Sequence, residues 1–127
     1  MVFNMDTTKV INENIVITIV DSDSIRISDV QSALDLIMNA KYASNSDYIA
    51  INKEAIDDSF FVLSSGLAGE ILQKFINYNT KVAICGDFSN YTSKPLKDFI
   101  YECNNGNNIF FVDTKEKSIQ ILQEKCY

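Results

Sequence analysis

The sequence predicts an α/β fold in which short, mostly parallel strands alternate with amphipathic helices, and three observations lead there. β-Prone apolar runs recur at Ile15–Val20, at residues 48–51, at Lys81–Cys85 and at Ile109–Val112. Between them, apolar residues return at helical spacing, so each of these strands is followed by a helix with one apolar face. Strands joined by helices run parallel, because each crossover returns the chain to the same end of the sheet. With 127 residues, 46% hydrophobic and 22% charged, the chain has room for one packed domain and none for a second.

The elements follow in order. Residues 9–12 and Ile15–Val20 are separated by Glu13-Asn14, a spacing suited to an N-terminal β-hairpin whose first strand lies at the sheet edge. Residues 1–8 read as a flexible N-terminus. After polar residues 21–24, Ser28 can cap a helix with Gln31 as the reciprocal partner of a capping box. Val30, Ala33, Leu34, Ile37 and Met38 form its apolar stripe. Residues 48–51 supply a third strand and residues 66–78 a second helix, with Leu67, Ala68, Ile71, Leu72 and Phe75 on one side.

Lys81–Cys85 reads as a buried strand. Ser93 starts a third helix that tolerates Pro95 in its first turn, where amide groups lack intrahelical partners. Leu96, Phe99, Ile100 and Cys103 face inward, and Asn105-Gly106 ends the helix with residues that favour left-handed backbone. After the strand Ile109–Val112, Asp113 and Glu116 suit another capping box, opening a helix with Ile119 and Leu122 inward. Residues 1–127 therefore read as one domain of order β-β-α-β-α-β-α-β-α, its helices packed on a mixed sheet.

Composition narrows the function. The formal charge is −6, and eleven basic residues are scattered along the chain, so no positive stripe is available to neutralise phosphates and nucleic acid is not an expected partner. The apolar run Ile15–Val20, interrupted by Thr18, falls far short of the roughly 20 residues that a bilayer span requires. The first residues lack the basic start and apolar middle of a secretion signal, so a cytoplasmic location without membrane contact is expected. Histidine is absent, which removes the commonest general base near neutral pH and with it histidine-dependent hydrolase triads. Cys85, Cys103 and Cys126 lie too far apart for metal-ligand spacing and are odd in number for a closed disulfide set. They read as reduced, buried thiols, and no catalytic centre, metal or cofactor is implied.

In parallel sheets, ligands and partners meet the loops beyond the carboxyl ends of the strands. The stretch from Phe60 to Leu72 is the most informative of these, because it puts Ser64 and Ser65 at a helix start. Free amide groups and the positive end of the helix dipole favour an anion there, either bound or attached to a serine as phosphate. An ordinary serine cap reads equally from the same residues. Gly66 and Gly69 would let the helix pack closely on the sheet. The loop Asp87-Phe88-Ser89-Asn90-Tyr91 adds two aromatics, which either anchor a partner or fold back onto the core. Asn79, Asn104 and Asn105 read as turn formers.

The residues from Phe61 to Leu72, with Ser64-Ser65-Gly66-Leu67, resemble the helix-start motif of the STAS fold of sulfate transporters and anti-sigma factor antagonists. The resemblance extends over most of the chain, through the hairpin, the Val82 to Cys85 strand and Ile109-Phe110-Phe111-Val112-Asp113 before a last helix. It implies a STAS-like fold and a non-catalytic regulatory or protein-interaction module. The first serine of the motif, matched by Ser64, is phosphorylated in the antagonists to block a protein contact. Leu63 stands where the motif has Asp, so the charge that accompanies the serine is missing here. The surface so implied joins Ser64, Ser65 and Gly66 to Gly69, Glu70, Asp87, Phe88 and Tyr91, facing an unidentified protein or a second copy of the chain. More closely, Gly66-Leu67-Ala68-Gly69-Glu70-Ile71-Leu72-Gln73-Lys74-Phe75 and Gly86-Asp87-Phe88-Ser89 resemble the bacterial family called domain of unknown function 4180, from which no activity follows.

Two other readings remain open. A small-molecule or anion-binding domain would use the helix start near Ser64 as a cradle for phosphate or a nucleotide. Alternatively, Asp21-Ser22-Asp23 after an apolar strand resembles the opening motif of haloacid-dehalogenase-type phosphatases. That chemistry takes one carboxylate as nucleophile, the next as acid/base and Mg²⁺ for the phosphate. Asp87 and Asp113 would complete the cluster if their strands were adjacent to it, whereas Asp21 and Asp23 are otherwise solvated loop residues.

Overall fold

The computed structural model describes residues 7–12 and 15–125. Strands form where β-branched and aromatic side chains concentrate: β1 (Thr7–Asn12), β2 (Ile15–Val20), β3 (Tyr48–Asn52), β4 (Lys81–Cys85) and β5 (Ile109–Val112). They are hydrogen-bonded in chain order, β1-β2-β3-β4-β5. β1 runs antiparallel to β2, with Asn12 opposite Ile15, and β2 to β5 are mutually parallel. Glu13-Asn14, the expected hairpin turn, lies outside the described residues, as do residues 1–6 and Cys126. Thr7 and Thr8, expected in the flexible N-terminus, pair in β1 with Val20 and Ile19.

Four helices complete the mixed α/β fold: α1 (Val30–Ser44), α2 (Leu67–Asn77), α3 (Lys94–Asn104) and α4 (Lys115–Glu124). The crossovers from β2 to β5 all step in one direction across the sheet. Right-handed connections therefore place α1, α2 and α3 on the same face. Ala33, Leu36, Ile37 and Ala40 of α1, Ala68, Ile71, Leu72 and Phe75 of α2, and Leu96 of α3 all belong to one buried cluster with Ile49, Ile51, Val82, Ile84 and Phe111. α4 follows β5 and covers the opposite face. There Leu122 is fully buried with Ile17, Ile19 and Phe110, and the small Ala50 and Ala83 leave it room. Because the strand order never reverses, the described strands build no switch-point crevice of the kind that doubly wound sheets use for ligands.

Several local expectations are corrected. The α1 capping box is formed by Asp29 and Ser32, not by Ser28 and Gln31: Ser32 N–H donates to the Asp29 carboxylate at 2.8 Å, and Asp29 N–H donates to the Ser32 hydroxyl at 3.0 Å. A carboxylate at this position also meets the positive end of the helix dipole. The α1 stripe shifts accordingly, with Leu36 and Ala40 inward and Leu34 and Met38 half-buried. At α4 the cap is Thr114, whose hydroxyl accepts from Lys117 N–H at 3.1 Å. Asp113 instead pairs with the Lys117 ammonium at 3.1 Å, and Glu116 is exposed.

Asn105 keeps right-handed backbone, φ −87°, and Gly106 does not enter the left-handed region. The left-handed asparagines are Asn45 and Asn79, where the chain leaves α1 and α2. Asn104 is not merely a turn former. Its amide group accepts from Phe111 N–H at 2.7 Å and donates to Phe111 C=O at 3.2 Å, closing part of the outer edge of β5.

Candidate functional site

The loops at the carboxyl ends of the parallel strands are shaped by side chains. After β2, Asn52 at the end of β3 accepts from Ser22 N–H at 3.0 Å and donates to Ser22 C=O at 2.8 Å. This pins the loop that carries Asp21 and Asp23, both exposed. Ile27 then forms a parallel bridge with Ile56, extending the sheet by one rung.

After β3 the chain makes three short 3-10 turns, Lys53–Ala55, Asp58–Phe61 and Leu63–Ser65. Asp57 starts the second by accepting from both the amide and the hydroxyl of Ser59, at 2.9 and 2.8 Å. These bonds hold its carboxyl below the ordinary carboxylate range. The turn drives Phe60 and Phe61 into the core, and Leu63 packs against the core behind them.

Gly66 follows with φ +78°, a left-handed backbone that side chains disfavour, and α2 begins. The cap of α2 is therefore Gly66 and not a serine. Close helix packing does not explain the glycines: a Cβ at Gly66 or Gly69 would meet nothing within 4 Å. The two serines do different things. The Ser65 hydroxyl donates to Ser59 C=O at 2.9 Å and accepts from Leu67 N–H at 3.2 Å. Ser64, exposed like Ser65, precedes it in the turn before α2, whose first-turn amides of Ala68 and Gly69 have no intrahelical carbonyl to bond.

After β4 the loop turns back onto the same place. Tyr91 stacks on Phe61 with ring centroids 5.0 Å apart and planes 18° from parallel. Phe88 stands between Phe61, at 6.1 Å, and Phe111, at 5.6 Å. Both loop aromatics are half-buried against the core, so of the two readings of this loop it is the folded-back one that the structure realises. Phe61 thus joins the stretch that carries Ser64 to the loop that carries Asp87. Hydrogen bonds from Ser89 keep Asp87 below its ordinary pKa. Gly69 and Glu70 lie exposed on α2, Glu70 beside a shallow groove with Val30, Gln73 and Lys74.

Lys53 carries no signal in the sequence. Its ammonium lies 5.1 Å over the Tyr91 ring centroid, and its stem lies so close to Gly86 that a Cβ there would come within 2.7 Å of Lys53 Cβ. Gly86, not Gly66 or Gly69, is where a missing side chain permits close approach. No periodicity marks this arrangement, because the partners come from different loops.

The four carboxylates of the phosphatase reading are dispersed. Asp21 faces Lys115 at 3.7 Å, Asp113 pairs with Lys117, and Asp87 accepts from Ser89 N–H at 2.9 Å. Among the described residues, no three His, Cys, Asp or Glu side chains gather as a metal set. Cys85 and Cys103 are half-buried rather than fully buried. Burial pushes both thiols up, Cys103 to about 11, which keeps them protonated and poorly nucleophilic at neutral pH. Among the described residues, no helix is long and apolar enough to cross a membrane.

The sequence profile described as "Domain of unknown function (DUF4180)" matches residues 12–122. The chain belongs to this family. The DUF4180 match spans the sheet from the end of β1 to β5 and all of α1 to α3, and it includes every candidate residue from Asp21 to Asp113. No curated protein and no solved structure matches the chain.

Proposed function

We propose that this DUF4180 chain is a non-catalytic, cytoplasmic regulatory or protein-interaction module of STAS type, switched at Ser64. The observation that carries the reading is the division between the two serines: Ser65 is tied into the turn, while Ser64 is exposed at the start of α2. A phosphate on Ser64 adds nearly two negative charges beside the amide end of a helix, where they are favoured, and changes the charge that the surface presents. Leu63, in place of the motif's Asp, anchors the turn on the core instead of adding a charge. Gly69, Glu70, Asp87, Phe88 and Tyr91 extend the surface around the turn. The partner is a protein, either of another kind or a second copy of the chain.

The test is affinity capture from the host's lysate with wild-type, Ser64→Ala and Ser64→Glu protein, the retained proteins being identified by mass spectrometry. The reading expects at least one specific protein that wild type and Ser64→Ala retain and Ser64→Glu loses. An identical set on all three overturns it. The free amides of Ala68 and Gly69 also support the anion-binding reading. That reading alone expects a saturable rise in melting temperature with inorganic phosphate or a nucleotide, lost in Ser64→Glu.

A further inference from the structure

An open groove of about 340 Å³ lies at the carboxyl end of the sheet, on the β2 and β3 side of the aromatic stack. Its apolar part is Ile25, which remains 50% exposed in a loop otherwise pinned by hydrogen bonds, with buried Ile56 beneath and Tyr91 as a wall. Its charged part is Lys53, Glu54, Asp57 and Asp58. The wall is rigid, because Phe61 stacks on the Tyr91 ring and the Lys53 ammonium lies over it. Among the described residues lining the groove, Lys53 is the one cation, set against Glu54, Asp57 and Asp58. Asp57 stays ionised through its bonds to Ser59. The ion pairs Lys41–Asp47, Lys94–Asp98, Lys115–Asp21 and Lys117–Asp113 involve other carboxylates than those of the groove.

We infer that this groove docks a cationic polypeptide segment that lays an aliphatic side chain on Ile25 and Tyr91 and directs lysine or arginine groups at Glu54, Asp57 and Asp58. Charge complementarity decides the class of occupant. Three carboxylates against one tethered ammonium attract a basic segment and repel an acidic one, and the exposed isoleucine rewards an apolar group among the basic ones. The inference rests on the protein-interaction reading above and names the chemistry of the partner. Asp58 opens the turn Asp58–Phe61, which precedes the turn Leu63–Ser65 in the chain.

The experiment is a titration of isotopically labelled full-length protein with the capped peptide Lys-Lys-Leu-Lys-Lys, followed by amide chemical shifts. The inference expects saturable shifts confined to the groove, around Ile25, Lys53, Asp58 and Tyr91. Affinity should weaken roughly tenfold in a Glu54→Lys/Asp58→Lys variant, and by a smaller factor in Ile25→Ser or with Lys-Lys-Ser-Lys-Lys. A control carrying the same charge change elsewhere, Asp35→Lys/Glu116→Lys, should bind within about twofold of wild type. Shifts spread over all acidic surfaces, equal weakening in the control, or no binding overturn the inference. The capture comparison with Ser64→Glu reads a different event, so failure of the groove and failure of the serine switch are distinguishable.

Discussion

The two ends of the sheet are built differently. At the amino end of the parallel strands the turns are short: Asn45 and Asn79 adopt left-handed φ of 52° and 54°, each is followed within three residues by the next strand, and one buried hydroxyl, Ser46, donates to Val16 C=O at 2.7 Å and so fastens the α1–β3 turn to β2. At the carboxyl end the connections are longer and held by side chains, as in the Asn52 clasp on Ser22, the Asp57 cap on Ser59, and the Phe61–Tyr91 stack under Lys53. The short turns of the first kind reverse the chain within a few residues. Side-chain scaffolding of the second kind fixes a surface whose outermost groups, Ser64 and Ile25 among them, remain available for contact.

This contrast fixes an order of effects. Phe61→Ala should be the most costly, about 3 kcal/mol by urea unfolding, because it opens a cavity in the core and removes the partner of Tyr91. Asn52→Ala should follow at about 2 kcal/mol, since it leaves the amide and carbonyl of buried Ser22 without their partner. At the amino end, Asn79→Ala should cost about 1 kcal/mol from left-handed strain alone, with Asn79→Gly close to neutral. A loss at Asn79 equal to that at Phe61 would erase the distinction between the ends.

Acid sharpens the comparison further. The carboxyl of Asp57 titrates lower when folded than when unfolded. Its contribution is therefore present above the unfolded value near 3.9 and fades as pH falls through the lower folded value. Urea midpoints measured from pH 5 down to pH 2 should decline, and Asp57→Asn should make that decline shallower. An unchanged slope would mean that the cap adds nothing to the carboxyl-end scaffold.

Much of the architecture was legible because β2, β4 and β5 are apolar runs buried on both faces, and their limits coincide with the expected ones. The α3 cap at Ser93 was legible as well, from a Ser before Lys-Pro. The capping register was not. Ser28 and Asp29 are both good caps in adjacent positions, as are Asp113 and Thr114, and only the packing of the apolar face chooses between them. Asn52, Asn104, Lys53 and Gly86 were illegible for another reason. Their roles depend on partners from separate elements, such as Ser22 thirty positions from Asn52, and pattern within a window does not reach that far.

The division between the two serines can be measured directly, by mass spectrometry with site localisation on protein isolated from its own host. The account predicts phosphate on Ser64 with Ser65 unmodified, since both serines are exposed but the Ser65 hydroxyl is engaged in the turn's own hydrogen bonds. Phosphate on Ser65, or a Ser64 that is never modified under any growth condition, would contradict it.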